Sequence, residues 1–155
     1  MRRRLAQATV VFVVIFAAAQ LVRPSPANPP TDGTRTIQAD ETTKGLTTVL
    51  DRSCGDCHSN ATVWSSWYTQ IAPLSWLMAH EVTKGRQAVN FSEWAEYSAA
   101  KQRILLAASC NDAKSGKMPG PYTFFKPETR LSGQDVETIC AAARQTEAKA
   151  TGASQ

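Results

Sequence analysis

The 155-residue sequence is short of charge: Asp, Glu, Lys and Arg make up 19% of it, against 43% apolar residues. That balance excludes a chain kept disordered by charge. Only 8 glycines are present, which excludes a collagen-like repeat. No stretch alternates apolar and polar residues with period two, which excludes a strand-built fold and leaves an all-α one. Acidic residues are missing from residues 1–23, which hold Arg2, Arg3, Arg4 and Arg23. The chain has 17 basic and 13 acidic residues, a net charge of +4. Removing those four arginines leaves 13 of each sign, so the rest of the chain is neutral. With no basic stripe to neutralise phosphates, nucleic acid is excluded as a partner.

What is present starts with an apolar run. Leu5 to Val22 is uncharged, and only Gln7, Thr9 and Gln20 in it are polar. Spanning a bilayer takes about 17–25 residues, so the run reaches the lower limit. The preceding arginines favour a cytoplasmic N-terminus. Ala17-Ala18-Ala19 would suit cleavage of a signal peptide. The run continues past these alanines to Arg23, which favours an uncleaved anchor, a single N-terminal membrane helix within residues 1–23. Residues beyond 24 then lie on the periplasmic side of a bacterial inner membrane. Pro24, Pro26, Pro29 and Pro30 predict an extended, semi-rigid linker over 24–40. A helical domain is expected over 41–147 and a tail over 148–155.

Cys54-Gly55-Asp56-Cys57-His58 carries the chemistry. C-x-x-C-H reads as c-type haem attachment. Two thiols three residues apart add to the two haem vinyl groups as thioethers, and the next residue offers an imidazole to the iron, making His58 the proximal ligand. A thioredoxin-type pair would need a βαβ setting, and no strand precedes Cys54. A zinc site would need two further ligands, and Cys110, Cys140 and His80 are scattered. A Cys54–Cys57 disulfide leaves His58 without a role.

Met118, His80 and Met78 are the candidates for the sixth ligand. Met118 lies in a Gly- and Pro-rich loop, Lys114 to Tyr122, with no helical packing role to explain it. Pro119 and Pro121 stiffen that loop. Met78 falls on the apolar stripe of a helix predicted over 73–84, with Leu74, Leu77 and Val82, which reads as core. His80 lies off the stripe. Met118 is therefore expected to bind iron, with His80 as runner-up.

The sequence resembles the haem-binding domain family of small cytochrome c-like proteins. The resemblance rests on Cys54-x-x-Cys57-His58-Ser59-Asn60, Thr62, Trp64, Trp67-Tyr68, Ile71-Ala72-Pro73, Ser75-Trp76, His80, Gly85-Arg86 and Asn90-Phe91-Ser92-x-Trp94. It continues through Met118-Pro119, Tyr122 and Leu131-Ser132, and covers most of residues 40–145. Asn28-Pro29-Pro30, after an apolar segment, adds to it. It implies an all-α, cytochrome c-like domain around one covalent haem c, held by Cys54, Cys57, His58 and Met118. Lys126-Pro127 stands where His-Pro would be expected, and Cys110 and Cys140 are additional to the pattern.

Four domain helices are predicted: 41–53, with Leu46, Val49 and Leu50 on one face; 73–84; one from N-cap Ser92 to about 109; and one from Ser132, capped with Asp135. The third should bury Trp94, Tyr97, Ile104, Leu105 and Ala108, and the last Val136, Ile139, Cys140 and Ala143. The four tryptophans are expected in the core, with Trp64, Trp76 and Tyr122 walling the haem. An oxidising compartment favours a Cys110–Cys140 disulfide. The expected function is a membrane-anchored one-electron carrier, not an enzyme, serving unidentified redox proteins. The competing expectation is a haem sensor or peroxidase-like protein with an open or displaceable sixth site. A third is a subunit of a larger respiratory complex.

Overall fold

The computed structural model describes residues 1–22, 24, 27–40 and 43–152. The described residues form six α-helices: α1 (Arg2–Ala19), α2 (Thr47–Ser53), α3 (Gly55–His58), α4 (Leu74–Ala88), α5 (Ala99–Lys114) and α6 (Gly133–Gly152). Short 3-10 turns join them, and no strand occurs among the described residues.

The expected membrane helix is not found. Among the described residues no helix is long and apolar enough to cross a membrane. The apolar run is divided between two uses. The helix stops at Ala19 and begins with three arginines, so its uncharged part is Leu5 to Ala19. At ~1.5 Å per residue that part is about 22 Å long, short of the ~30 Å hydrocarbon core. The remaining residues turn onto the domain. Gln20 donates from Nε2 to the Ala72 carbonyl (3.3 Å) and accepts from the Ala72 N–H (3.0 Å). The Trp76 indole donates to the Val22 carbonyl at 2.7 Å. Arg23 and Pro26, read from sequence as a stop and part of a spacer, lie outside the described residues.

The described part of the proline-rich stretch is strapped to the domain. Asn28 donates to the Thr62 carbonyl (2.9 Å) and accepts from the Trp64 indole (2.9 Å) and the Arg86 guanidinium (2.8 Å). Asn60 donates to the Pro30 carbonyl at 3.3 Å. Ile37 is wholly buried among Leu46, Leu50 and Trp94 in the main core. Proline leaves carbonyls without matching N–H groups, so such a stretch is well suited to accept bonds from a surface that supplies donors.

The core is completed by Val49 and Leu50 of α2, Leu106, Cys110 and Ala113 of α5, and Ile139, Cys140 and Ala142 of α6. Burying each large aliphatic side chain contributes about 1.5–3 kcal/mol. Cys110 and Cys140 are joined by a disulfide across α5 and α6, with a Cα–Cα distance of 4.8 Å.

Three local features depart from the expected boundaries. Ser92 does not start a helix; Phe91–Glu96 is a 3-10 turn. α5 starts later, where the Ser98 hydroxyl accepts from the Lys101 N–H at 3.3 Å. The buried face of α5 differs as well: Ile104, at 68%, and Ala108 are exposed, and Leu106 packs into the core instead. α4 runs past Gly85 to Ala88, because Gly85 serves as a packing position rather than a stop. Residues 148–152, expected in the tail, continue α6, and 153–155 lie outside the described residues. Glu41, the expected start of the first domain helix, also lies outside them.

At α6 the Ser132 and Asp135 groups bond reciprocally: the Asp135 N–H donates to the Ser132 hydroxyl (3.1 Å), and the Ser132 N–H to the Asp135 carboxylate (2.8 Å). Arg52 of α2 pairs with the same carboxylate at 2.7 Å. These bonds, Ser132 first and Arg52 after it, hold the Asp135 carboxyl below its ordinary value of 3.8. A lowered folded pKa stabilises above the unfolded value and is lost as pH falls through the folded one. Asp135→Ala should therefore lower Tm at neutral pH, and the gap to wild type should close as pH falls below about 3.8; thermal melts by circular dichroism measure this. Reducing Cys110–Cys140, which closes a 30-residue separation, should lower unfolding free energy by about 3–4 kcal/mol in urea titrations.

Candidate functional site

The site is built on a break in the helical backbone. The last turn of α2 takes in Cys54, whose N–H donates to the Leu50 carbonyl at 2.8 Å. Cys54 itself leaves helical geometry (φ −126°, ψ −27°), which separates α2 from α3. Its carbonyl then accepts from the N–H groups of Cys57 (3.2 Å) and His58 (2.9 Å). One turn of helix thus brings both thiols and the imidazole to one place. The Ser59 hydroxyl closes the turn by donating to the Gly55 carbonyl at 2.7 Å.

α4 crosses this turn at very close range. A β-carbon placed on Gly85 would lie 2.3 Å from the Cys57 carbonyl oxygen and 2.9 Å from its carbon. Only glycine allows the two backbones to approach this closely. The next residue, Arg86, secures the contact by donating from Nε to the Ser59 carbonyl at 2.8 Å.

His58 is oriented from the other side. Its Nδ1 lies 3.2 Å from the Val89 carbonyl. A carbonyl only accepts, so Nδ1 carries the proton and Nε2 keeps its lone pair. Burial lowers the His58 pKa, only partly offset by the Val89 and Gly85 carbonyls. The imidazole is therefore neutral at physiological pH, as a metal ligand requires. A buried amide network holds Val89 in place: Asn90 donates to the Asn60 side chain (2.8 Å), and the Asn60 N–H donates to the Ser92 hydroxyl (2.9 Å).

Cys54, Cys57, His58 and Met118 line one cavity of about 340 Å³. Its walls are mostly apolar, formed by Leu50, Val89, Phe91, Leu105, Leu131 and Ile139, with Asp56, Tyr122, Arg52 and Lys117 among its polar groups. Cys54 and Cys57 are free thiols. Burial pushes Cys54 up to about 12 and Cys57 up to about 11, with each anion further disfavoured by a neighbouring negative group. Both are protonated at neutral pH.

Met118 is 41% exposed on its loop, and its N–H donates to the Asp112 carbonyl at 3.2 Å. Gly116 and Gly120 on either side adopt positive φ (69° and 56°), which lets the loop turn back toward the cavity. Tyr122 lines the cavity as well. The other candidates are elsewhere. His80 is exposed on α4 and does not line the cavity, and Met78 is buried away from it. Trp64 and Trp76 do not wall the cavity; their indoles bind the N-terminal strap. Of the four tryptophans Trp94 is deeply buried, at 2% exposure, whereas Trp67 and Trp76 are exposed. The Trp64 and Trp76 indoles keep to a partly wet surface because each donates to the N-terminal segment there, to Asn28 and to the Val22 carbonyl.

Asp56, between the two cysteines, gave no sequence signal. It accepts from Tyr122 (2.7 Å), Lys126 (2.6 Å) and the Val63 N–H (3.0 Å). Burial alone would raise its carboxyl, but Lys126 and Tyr122 outweigh burial and hold it low. The reverse holds for Lys126, where Asp56 outweighs burial and keeps the ammonium charged. Lys126, read from the sequence only as a departure from His-Pro that leaves the Cys54–His58 motif untouched, in fact pairs with Asp56 inside that motif.

A family model described as a haem-binding domain matches residues 14–145. No curated protein and no solved structure gives a match. The residues present fit such a group: an apolar slot, two unpaired thiols, a neutral imidazole with Nε2 unblocked, and a thioether share one cavity. About 300–1,000 Å³ is the usual range for small-molecule and cofactor sites.

Gly85→Ala should destabilise the fold by about 1–3 kcal/mol, the usual cost of overpacking. It should also reduce haem retained after denaturing electrophoresis. Unchanged stability and unchanged haem staining would overturn the role given to this contact.

Proposed function

The chain belongs to the haem-binding domain family, and on that premise we propose that it is a monohaem c-type cytochrome carrying one electron at a time. The observation that carries the reading is the shared cavity: two thiols, the His58 imidazole and the Met118 thioether line the same mostly apolar space. The iron of a bound haem supplies a centre that changes oxidation state by one electron.

Cys54 and Cys57 would hold the macrocycle as thioethers, each thiol adding its sulfur to one vinyl carbon and its hydrogen to the other, which needs no oxidant. His58 offers Nε2, while the Val89 carbonyl keeps the proton on Nδ1 and fixes the ring plane. Met118 would offer its thioether to the iron, a donor that favours the reduced state more than a second imidazole would. Leu105, Phe91 and Ile139 exclude water from the site, which disfavours the more highly charged oxidised state. Covalent attachment and the Cys110–Cys140 disulfide both suit an exported, oxidising compartment, so we place the domain on the periplasmic side of a bacterial membrane. Its partners are redox proteins, met without strong electrostatic steering because residues 24–155 carry no net charge.

A second reading has one observation in its favour. Met118 is 41% exposed on a glycine-flanked loop, so a displaceable sixth position would suit a haem sensor or peroxidase-like protein.

Optical spectra of the purified, haem-loaded protein separate the two. The oxidised form should show a weak sulfur-to-iron charge-transfer band that disappears in Met118→Ala. Persistence of the band in that variant would refute the assignment. High-spin iron and ready binding of carbon monoxide in the wild type would favour the second reading. Haem that leaves the protein on acid extraction would overturn covalent attachment.

A further inference from the structure

The Met118 loop is attached to the rest of the molecule unevenly. On the α5 side it is held by backbone bonds from Ser115, Gly116 and Met118 to the Asn111, Ala113 and Asp112 carbonyls, and its one ion pair there is the exposed Lys117–Asp112 pair at 3.2 Å. On the α3 side it has a partly buried ionic cluster. The Asp56 side chain is 11% exposed and that of Lys126 is 23% exposed. Tyr122 and Lys126 both donate to the same Asp56 oxygen, and Val63 donates to the other. The Tyr122 hydroxyl also lies 3.1 Å from that of Tyr68, whose ring packs edge-on against it.

Two of these groups, Asp56 and Tyr122, are also part of the cavity wall. Asp56 sits inside the haem-attachment turn, and Tyr122 lies four residues beyond Met118. Lys126 lies in the same chain segment, eight residues beyond Met118, and Phe125 beside it packs against Trp67 and Tyr68. We propose that Asp56 is a positioning residue for the axial ligand: its carboxylate latches the Gly120–Lys126 segment to the attachment turn and thereby holds Met118 at the cavity. This rests on the reading that Met118 is an iron ligand.

The physical basis is the cost of separating the pair. A partly buried carboxylate and ammonium that lose each other leave two desolvated charges unmatched. An exposed pair such as Lys117–Asp112 has little such cost. The Asp56 cluster therefore resists separation more than the exposed Lys117–Asp112 pair does. When Met118 leaves the iron the loop must move, and the latch sets how readily that happens.

The test uses imidazole, which binds oxidised iron only by displacing the methionine. Titration of the haem-loaded protein, followed by loss of the charge-transfer band, reads the balance between bound and displaced Met118. Asp56→Asn and Lys126→Met should each raise apparent imidazole affinity about tenfold. Tyr122→Phe should raise it by a smaller factor, and Lys126→Arg should restore most of the wild-type value. Arg144→Ala, which removes the exposed Arg144–Glu137 pair on α6, should leave it within twofold.

A purely structural role would lower Tm in the first two variants without moving the imidazole affinity, and that result would overturn the latch. If Asp56→Asn fails to load haem, Lys126→Met and Tyr122→Phe read the same latch from the loop side. If Met118→Ala leaves both the band and the imidazole affinity at wild-type values, the ligand assignment itself fails. A normal Met118→Ala result with unmoved latch variants sinks only the latch.

Discussion

The rest of the site depends on the contact between Gly85 and Cys57. Two backbones meet there at a distance that no side chain permits. Because α4 can approach the attachment turn so closely, the Arg86 guanidinium reaches the Ser59 carbonyl, and the chain leaving α4 brings the Val89 carbonyl to His58. One missing methyl group thus sets the position of the Cys54–His58 turn and the proton on the histidine.

Arg86 extends the same contact outward. Its Nε secures the turn after His58, and its other nitrogens reach Ala27, Asn28 and Thr62. The N-terminal strap and the attachment turn are therefore held by one cation. Guanidinium suits this role because its planar fork offers several donors in fixed directions. Lysine at this position would supply charge without the geometry.

How much was legible in the sequence follows the range of each signal. Cys54, Cys57 and His58 are a local pattern, and local geometry alone brings them together. Ser132 with Asp135 is equally local, and the reciprocal bonds form between them. The start of α5 was misplaced because Ser92 and Ser98 are both competent caps. The choice between them is tertiary: Phe91 and Trp94 are buried in the core, and a 3-10 turn brings both there. Gly85 reads from sequence as a helix stop, since nothing local reveals a backbone from another element lying against it. The apolar N-terminal run reads as one span, yet Gln20 to Val22 are drawn away by partners more than fifty residues distant. Asp56 is invisible for the same reason, its partners Tyr122 and Lys126 being 66 and 70 residues away.

The Cys110–Cys140 disulfide has a meaning beyond stability. It lies at the base of the chain segment that contains Met118, Tyr122 and Lys126, and it joins the two helices from which that segment departs and to which it returns. If the segment swings away from α3, its ends stay pinned. The thioether then explores a small volume around the cavity, and its local concentration stays high. Without the cross-link the same two ends would be held by the apolar packing of Leu106 and Ala113 against Ile139 and Ala142 alone. The oxidation state of two cysteines remote from the cavity thus limits how far the Met118 segment can stray from it.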